Sequence, residues 1–190
     1  MRNFEEAWGY SSTIPGWYTK AEGELLWNCA KGKGMACEVG SYRGRSTSLL
    51  ASVVPVIAIE PFILAPGSPN DTPESEGRYV SDALRTNIFE DFVKNMRKFA
   101  HFDVRLLPWK TEDCCGSVPT VGVLHIDGDH VDGVFTDIEL LTPSLESGGI
   151  AVFHDYEPVH TKFSRVKEAV DALGWKVIGK ADSAIAVRKP

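Results

Sequence analysis

Residues 38–46 read Glu-Val-Gly-Ser-Tyr-Arg-Gly-Arg-Ser. A short apolar run, Met35-Ala36-Cys37, precedes them, and a helix-forming run from Thr47 to Val54 follows. Strand, glycine turn and helix start, in that order, are what a parallel α/β sheet uses to hold a nucleotide-like cofactor at its edge. A dinucleotide fingerprint, Gly-x-Gly-x-x-Gly, needs its second glycine so that the backbone can approach a pyrophosphate. Tyr42 takes that place here, and Glu38 would repel a pyrophosphate.

An acid two residues before the first glycine instead suits a cofactor that carries a cationic amine. S-adenosylmethionine has an α-ammonium, a sulfonium, a ribose and an adenine, and no phosphate. A second stretch agrees. Val56-Ile57-Ala58-Ile59 is a buried-strand pattern that ends in Glu60. An acid at that strand end, about 20 residues past the glycine turn, accepts hydrogen bonds from ribose hydroxyls. Nicotinamide-binding folds share this device, so Glu38 and Tyr42 separate the two cofactors and Glu60 does not.

The bulk properties set bounds. A chain of 190 residues is expected to form one domain with a sizeable core. Its net charge is −6 and it has no long basic run, which disfavours nucleic acid and anionic membranes as partners. The first twenty residues carry no apolar core of a signal peptide. No window approaches the ~18 apolar residues of a membrane span. The four cysteines, Cys29, Cys37, Cys114 and Cys115, form neither a C-x-x-C pair nor a zinc spacing, so reduced thiols and a cytoplasmic location are expected.

Along the chain, residues 1–18 read as a small aromatic-rich arm over the sheet edge and a candidate contact for a homo-oligomer. Residues 19–190 read as the single main domain. Helices are expected at 19–31, 45–54, 79–99, 134–141 and 163–173, the last capped by Gly174. Strands are expected at 35–39, 56–60, 102–107, 121–126 and 150–153, with Ser147-Gly148-Gly149 as a turn. The turn-rich loop at 63–79 is either a lid over the site or plain disorder. Two short strands, 175–179 and 183–187, are joined by a link too short for a parallel crossover, so they form an antiparallel hairpin. The fold expected is therefore α/β: a Rossmann-like, mostly parallel seven-stranded sheet with helices on both faces and a C-terminal antiparallel hairpin. A dehydrogenase would be expected to continue with another parallel strand.

Two strand ends are acidic. Ile126-Asp127-Gly128-Asp129-His130 closes the fourth strand, and Phe153-His154-Asp155-Tyr156 closes the fifth. On neighbouring strands ~4.8 Å apart, Asp127 and Asp155 would repel each other unless a cation lay between them. Oxygen ligation suits Mg²⁺, and ligation by His154 or His130 would favour Mn²⁺, Fe²⁺ or Zn²⁺. Asp-Gly is also a good turn dipeptide, so Asp127 and Asp129 are read as site acids or as turn residues. His154 is read as a metal ligand or as an orienting histidine. His125 is read as structural, and Asp137 and Glu139 as a solvated helix face. After the third strand, Trp109 could stack on an adenine and Thr111 hydrogen-bond it, or Trp109 could be core.

These residues carry a resemblance. Ile14-Pro15-Gly16-Trp17, residues 38–47, Ile59-Glu60-Pro61-Phe62, Ile126 to His130, Asp137, Leu145 to Gly149 and His154-Asp155-Tyr156 resemble class I S-adenosylmethionine methyltransferases. The group is the one that includes macrocin O-methyltransferase-like and cephalosporin-hydroxylase-like proteins, and the likeness covers roughly residues 14 to 188. It implies that Glu38, Gly40, Ser41, Gly44 and Ser46 surround the methionine end, with Tyr42 in the same turn, and that Glu60 holds the ribose. It implies a Mg²⁺ held by an acid at Asp127 and by a pair of acids after the fifth strand, where this chain has His154-Asp155. It also implies a base at Asp129.

The function expected is methyl transfer to a hydroxyl of a small-molecule or sugar acceptor, with divalent-metal assistance. Asp127, His154 and Asp155 would hold the metal, and Asp129 or His130 would take the proton. Asp127, Trp109 and Thr111 would also border the cofactor. Two other readings stand beside it: a nicotinamide-dependent oxidoreductase or epimerase, and a non-catalytic cofactor-binding module.

Overall fold

The computed structural model describes residues 2–62, 87–157 and 164–190. The 63–79 loop, and the part of the expected 79–99 helix before residue 87, lie outside the described residues. Short apolar runs form the strands β1 (Ala36–Val39), β2 (Val56–Ile59), β3 (Val104–Leu107), β4 (Val121–Ile126) and β5 (Leu145–Phe153). A hairpin of β6 (Lys176–Ala181) and β7 (Ala184–Arg188) follows. The seven strands make one sheet in the order β3-β2-β1-β4-β5-β7-β6. β1 to β5 are parallel, and β7 pairs antiparallel with both β5 and β6. This is the expected Rossmann-like sheet, with its strand order reversing between β1 and β4.

The turn expected at 147–149 is instead a break inside β5. Pairing with β4 jumps from Val121↔Leu145 to Val123↔Ile150, and Gly148 takes up the irregularity at φ 74. An extra loop of backbone of this kind is a bulge, for which glycine is the low-cost residue.

Helices cover both faces. α1 (Phe4–Ser11), α2 (Lys20–Ala30) and α3 (Arg45–Leu50) lie on one side. There Leu26, Ala30, Leu49 and Leu50 pack with Ala36, Val56, Val123, Val152 and Ala186. α6 (Gly133–Leu141) and α7 (Val166–Ala172) lie on the other. Val134, Leu141, Val166 and Val170 pack there with Cys37, Ile57, Leu124, Ala151 and Ile185. The two residue sets alternate along each strand, as a pleated sheet buried on both faces requires. α4 (Ile88–Phe99) adds Phe92 and Met96 against Ala58. α5 (Thr111–Cys114) is a single turn after β3.

Local chemistry explains the boundaries. α1 and α2 each open with a reciprocal cap, Asn3 with Glu6 and Thr19 with Glu22. α3 stops four residues before the expected end. The Ala51 carbonyl is taken by the amides of His101 and Phe102, and Pro55 disfavours helix in the residue before it. The N-terminal arm meets the sheet edge only at its end, where Tyr18 stacks on His154 at 4.8 Å. It contains α1, whose Phe4 packs edge-on to Trp27 of α2 at 6.0 Å. Part of the expected aromatic contact surface is therefore used within the chain, while Tyr10 and Trp17 stay exposed.

Candidate active site at the carboxyl edge of the sheet

Val39, Ile126 and Phe153 end their strands in register. Gly40, Asp127 and His154 therefore follow side by side where the strand order reverses, the place where open α/β sheets bind ligands. The fit is tight. A Cβ on Gly40, at φ 85, would sit 1.9 Å from the Asp127 carbonyl oxygen. Glycine is needed here to let the β1 and β4 loops pass each other.

The turn continues with Ser41, then Tyr42 at φ 46, then Gly44 at φ 89 as the N-cap of α3. A Cβ on Gly44 would meet Met96 at 2.5 Å. Ser46 is buried in the first turn of α3. Ser41 is buried too, and its hydroxyl has no hydrogen-bond partner among the described residues. A buried hydroxyl with no partner is costly unless a ligand satisfies it. Glu60 closes this half of the cleft. Its carboxylate accepts from the Tyr42 amide at 2.8 Å and the Phe62 amide at 3.0 Å. Burial pushes its pKa up, against those two bonds, which pull it down.

Glu38 does not face this cleft. It is fully buried, and its carboxylate accepts from the Thr47 hydroxyl and from His125 Nδ1, the latter at 3.0 Å. Because a carboxylate accepts only, Nδ1 donates to it, and Nε2 shares a hydrogen bond with the Tyr18 hydroxyl at 3.0 Å. Burial, then the negative charges of Asp127, Glu22 and Glu38, hold Tyr18 well above the usual phenol range, so the phenol keeps its proton. The expected direct contact of Glu38 with a cationic amine is thus replaced by a chain, Thr47–Glu38–His125–Tyr18, under the glycine turn. β1 and β4 are neighbours, and their register pairs Glu38 with His125. That pairing was the signal in the sequence that could have found the chain.

The acid cluster centres on His154. Nδ1 lies 3.0 Å from Asp127 Oδ1 and 3.3 Å from Asp155 Oδ2, and Nε2 lies 3.4 Å from Glu22 Oε2. The Tyr18 ring stacks on the imidazole at 4.8 Å. Burial works to lower the pKa of His154. The charge of Asp127 and the bonds to Asp127, Asp155 and Glu22 outweigh it and hold the ring well above its usual range, as an imidazolium. Burial likewise works to raise Asp155 and Glu22. Hydrogen bonding from His154 reverses it in both, and leaves Asp155 below the usual carboxylate range and Glu22 at about 2. Glu22 also accepts from the Ser183 amide and hydroxyl, at 3.0 and 2.6 Å. The sequence argument for a metal assumed that Asp127 and Asp155 lacked a cation between them. His154 supplies one. Tyr18 and Glu22, which complete the cluster, were not legible as site residues.

His130 joins the site from the β4 loop, with Nδ1 3.4 Å from Asp155 Oδ2. Ligand atoms of Asp127, His130 and Asp155 lie within 4.8 Å of one another. The set that could grip a divalent ion therefore contains His130 where His154 was expected, and its mixed nitrogen and oxygen donors suit Mn²⁺, Fe²⁺ or Zn²⁺ better than Mg²⁺. Asp129 is exposed and accepts from the amides of Val131 at 2.9 Å and Gly133 at 3.3 Å, the turn role weighed for it. Asp155 has φ 55, a left-handed conformation rare outside glycine.

On the far side, Trp109 is exposed and not core. Thr111 is buried and hydrogen-bonded to Asp137. Asp137 is itself buried, not on a solvated face, whereas Glu139 is exposed. Burial pushes the Asp137 carboxyl up to about 6, Thr111 acts in the opposite sense, and the charges of Glu112 and Asp129 add to the rise.

Comparison with known proteins gives the same architecture. The O-methyltransferase NovP has a structure similar to this chain, at 18% identity and a TM-score of 0.66, over 92% of this chain and 83% of that one. The SAH-bound methyltransferase PaMTH1 of Podospora anserina is similar at 11% identity and 0.66, over 98% and 87%. The O-methyltransferase TomG of Streptomyces achromogenes, in complex with SAM, is similar at 12% identity and 0.61, over 100% and 92%. At such identities the likeness is one of fold. No curated protein matches the sequence. A family described as a methyltransferase domain matches residues 37–156, which span the glycine turn, Glu60, the β4 acids and the His154-Asp155 pair. The chain therefore belongs to the methyltransferase-domain family.

Proposed function

We propose that the protein is an S-adenosylmethionine-dependent methyltransferase that methylates a hydroxyl of a small-molecule or sugar acceptor. The observation that carries this reading is the meeting, at the β1/β4 reversal, of the glycine turn with the Asp127–His154–Asp155 cluster. The partnerless Ser41 hydroxyl and the Glu60 carboxylate fit the donor's polar ends. Ser41 would meet the methionine end and Glu60 the ribose, with Tyr42, Gly44 and Ser46 lining the turn. The bound donor supplies an electrophilic methyl group. No helix among the described residues is long and apolar enough to cross a membrane. The four cysteines are free thiols and fit a cytoplasmic setting. The family match favours this reading over a nicotinamide-dependent oxidoreductase.

The chain's own residues do three things. Tyr42 and Phe62 amides orient Glu60. His154 neutralises Asp127 and Asp155, so both can lie at the mouth of the cleft. Asp155 orients His130, whose Nε2 we assign as the acceptor of the hydroxyl proton, as in other oriented imidazole bases. A second reading is favoured by the cluster of Asp127, His130 and Asp155. A divalent cation held by these three would acidify the acceptor hydroxyl, and proton acceptance would pass to Asp129.

Isothermal titration with S-adenosylhomocysteine and with NAD⁺ tests the main claim. Saturable heat with the first and none with the second is expected. The reverse would end the methyltransferase reading.

A further inference from the structure

Resting on the methyltransferase reading above, we infer that Trp17 is the residue that faces the acceptor and that Arg45 is the positioning residue that holds it in place. Arg45 opens α3 directly after the glycine turn, and its guanidinium collects the N-terminal segment. It donates to the carbonyls of Ile14 at 2.8 Å, Gly16 at 2.6 Å, Tyr18 at 3.0 Å and Ser12 at 3.1 Å. The Arg45 carbonyl in turn accepts from the Ser11 hydroxyl at 2.8 Å. Four carbonyls on one planar cation fix a loop far more firmly than loop backbone fixes itself. Gly16 lets the segment come this close, since a Cβ there would already be 3.2 Å from the Arg45 side chain.

The clamp places two consecutive aromatic side chains. Tyr18 is buried and stacks on His154. Trp17 packs on Tyr42 of the glycine turn, ring centroids 5.2 Å apart, and remains 53% exposed. Gly16-Trp17-Tyr18 thus bridges the turn proposed for the donor and the cluster proposed for proton removal. On the proposed function, an acceptor whose hydroxyl reaches His130 lies against this bridge. A rigid indole, half uncovered and braced from behind, recognises a flat ring face by stacking and apolar contact. The acceptor is therefore a hydroxyl-bearing ring compound. Its flat face is either an arene or the C–H face of a pyranose, and Trp17 sets the choice of substrate.

Protein labelled with 5-fluorotryptophan, saturated with S-adenosylhomocysteine, is titrated with catechol and separately with methyl glucopyranoside, and followed by fluorine NMR. The Trp17 resonance is assigned with Trp17→Phe. One of the two probes is expected to move the Trp17 signal and leave that of buried Trp27 unmoved, and the probe that does so identifies the source of the ring. Trp17→Ala is expected to weaken that probe at least tenfold with the affinity for S-adenosylhomocysteine changed less than twofold. Trp17→Phe should restore most of it. Arg45→Met should shift and broaden the Trp17 signal in the free protein and weaken the probe similarly. An immobile Trp17 signal with both probes, or unchanged probe affinity in Trp17→Ala, overturns the inference while leaving donor binding intact. Failure of the wild-type protein to bind S-adenosylhomocysteine would instead overturn the function on which it rests.

Discussion

Asp137→Asn isolates the energetic consequence of one buried carboxyl. In the folded protein Asp137 has its pKa raised from 3.8 to about 6, burial being the largest cause. The sign follows from linkage. A carboxyl with a higher pKa folded than unfolded holds its proton more tightly in the native state. It adds nothing below the unfolded pKa, and it costs stability as pH rises towards the folded one. The gap between 3.8 and about 6 corresponds, at ~1.36 kcal/mol per pK unit, to on the order of 3 kcal/mol. Asparagine keeps the shape and an oxygen to accept from Thr111, and removes the charge. Urea unfolding of both proteins from pH 4 to pH 8 measures it. The stability of Asp137→Asn relative to wild type should climb between about pH 4 and pH 6 by up to ~3 kcal/mol, then level off. Any fixed offset between the two side chains drops out of that climb. A pH-independent difference, or one that falls with rising pH, would refute the reasoning.

Other perturbations read the site. Gly40→Ala forces a Cβ into the Asp127 carbonyl at φ 85, so a loss of ~3 kcal/mol or more, or a displaced glycine turn, is expected in denaturation and donor-binding measurements. Glu60→Gln removes a charged acceptor worth ~1.5–3 kcal/mol. The affinity for S-adenosylhomocysteine should fall about 10- to 150-fold by calorimetry, and the melting temperature should drop as well, because the new amide nitrogen cannot accept from the Tyr42 or Phe62 amide. Glu22 is held at about 2, below its usual 4.5. Its contribution to stability is therefore complete above about pH 4.5 and lost as pH falls towards 2, and Glu22→Gln should flatten the acid limb of a stability profile. Activity that collapses in chelator and returns with Mn²⁺ would establish the cation reading; full activity in chelator would leave His130 as the base.

The sheet was legible because its signals are local. Apolar runs separated by amphipathic stretches mark parallel strands, and the short link after residue 179 allows only a hairpin. The glycine turn, Glu60 and the strand-end acids were legible for the same reason, since each lies within a few residues of a strand end. Side-chain direction was harder. Glu38 sits one position before its strand ends, so the pleat sends it under α3, opposite His125, and not into the cleft. Asp137 looks solvated by helical spacing alone, but α5 covers it. Tyr18 and Glu22 enter the site from an N-terminal segment whose path over β4 and β5 is set by Arg45, a long-range clamp with no periodic trace. His154 was seen as a ligand for a cation; its three carboxylate neighbours make it the cation.

The anchoring of Glu22 reaches beyond this site. The carboxylate that flanks His154 is held by a backbone amide 161 positions further along the chain, at the tip of the β6–β7 hairpin. Thr19 grips the adjacent Asp182 at 2.6 Å. A nascent chain that has extruded every strand-end acid would still lack the fastener that seats this glutamate. Competence of the proposed site is consequently acquired only once that hairpin docks, and loosening it should silence the site well before the central strands come apart.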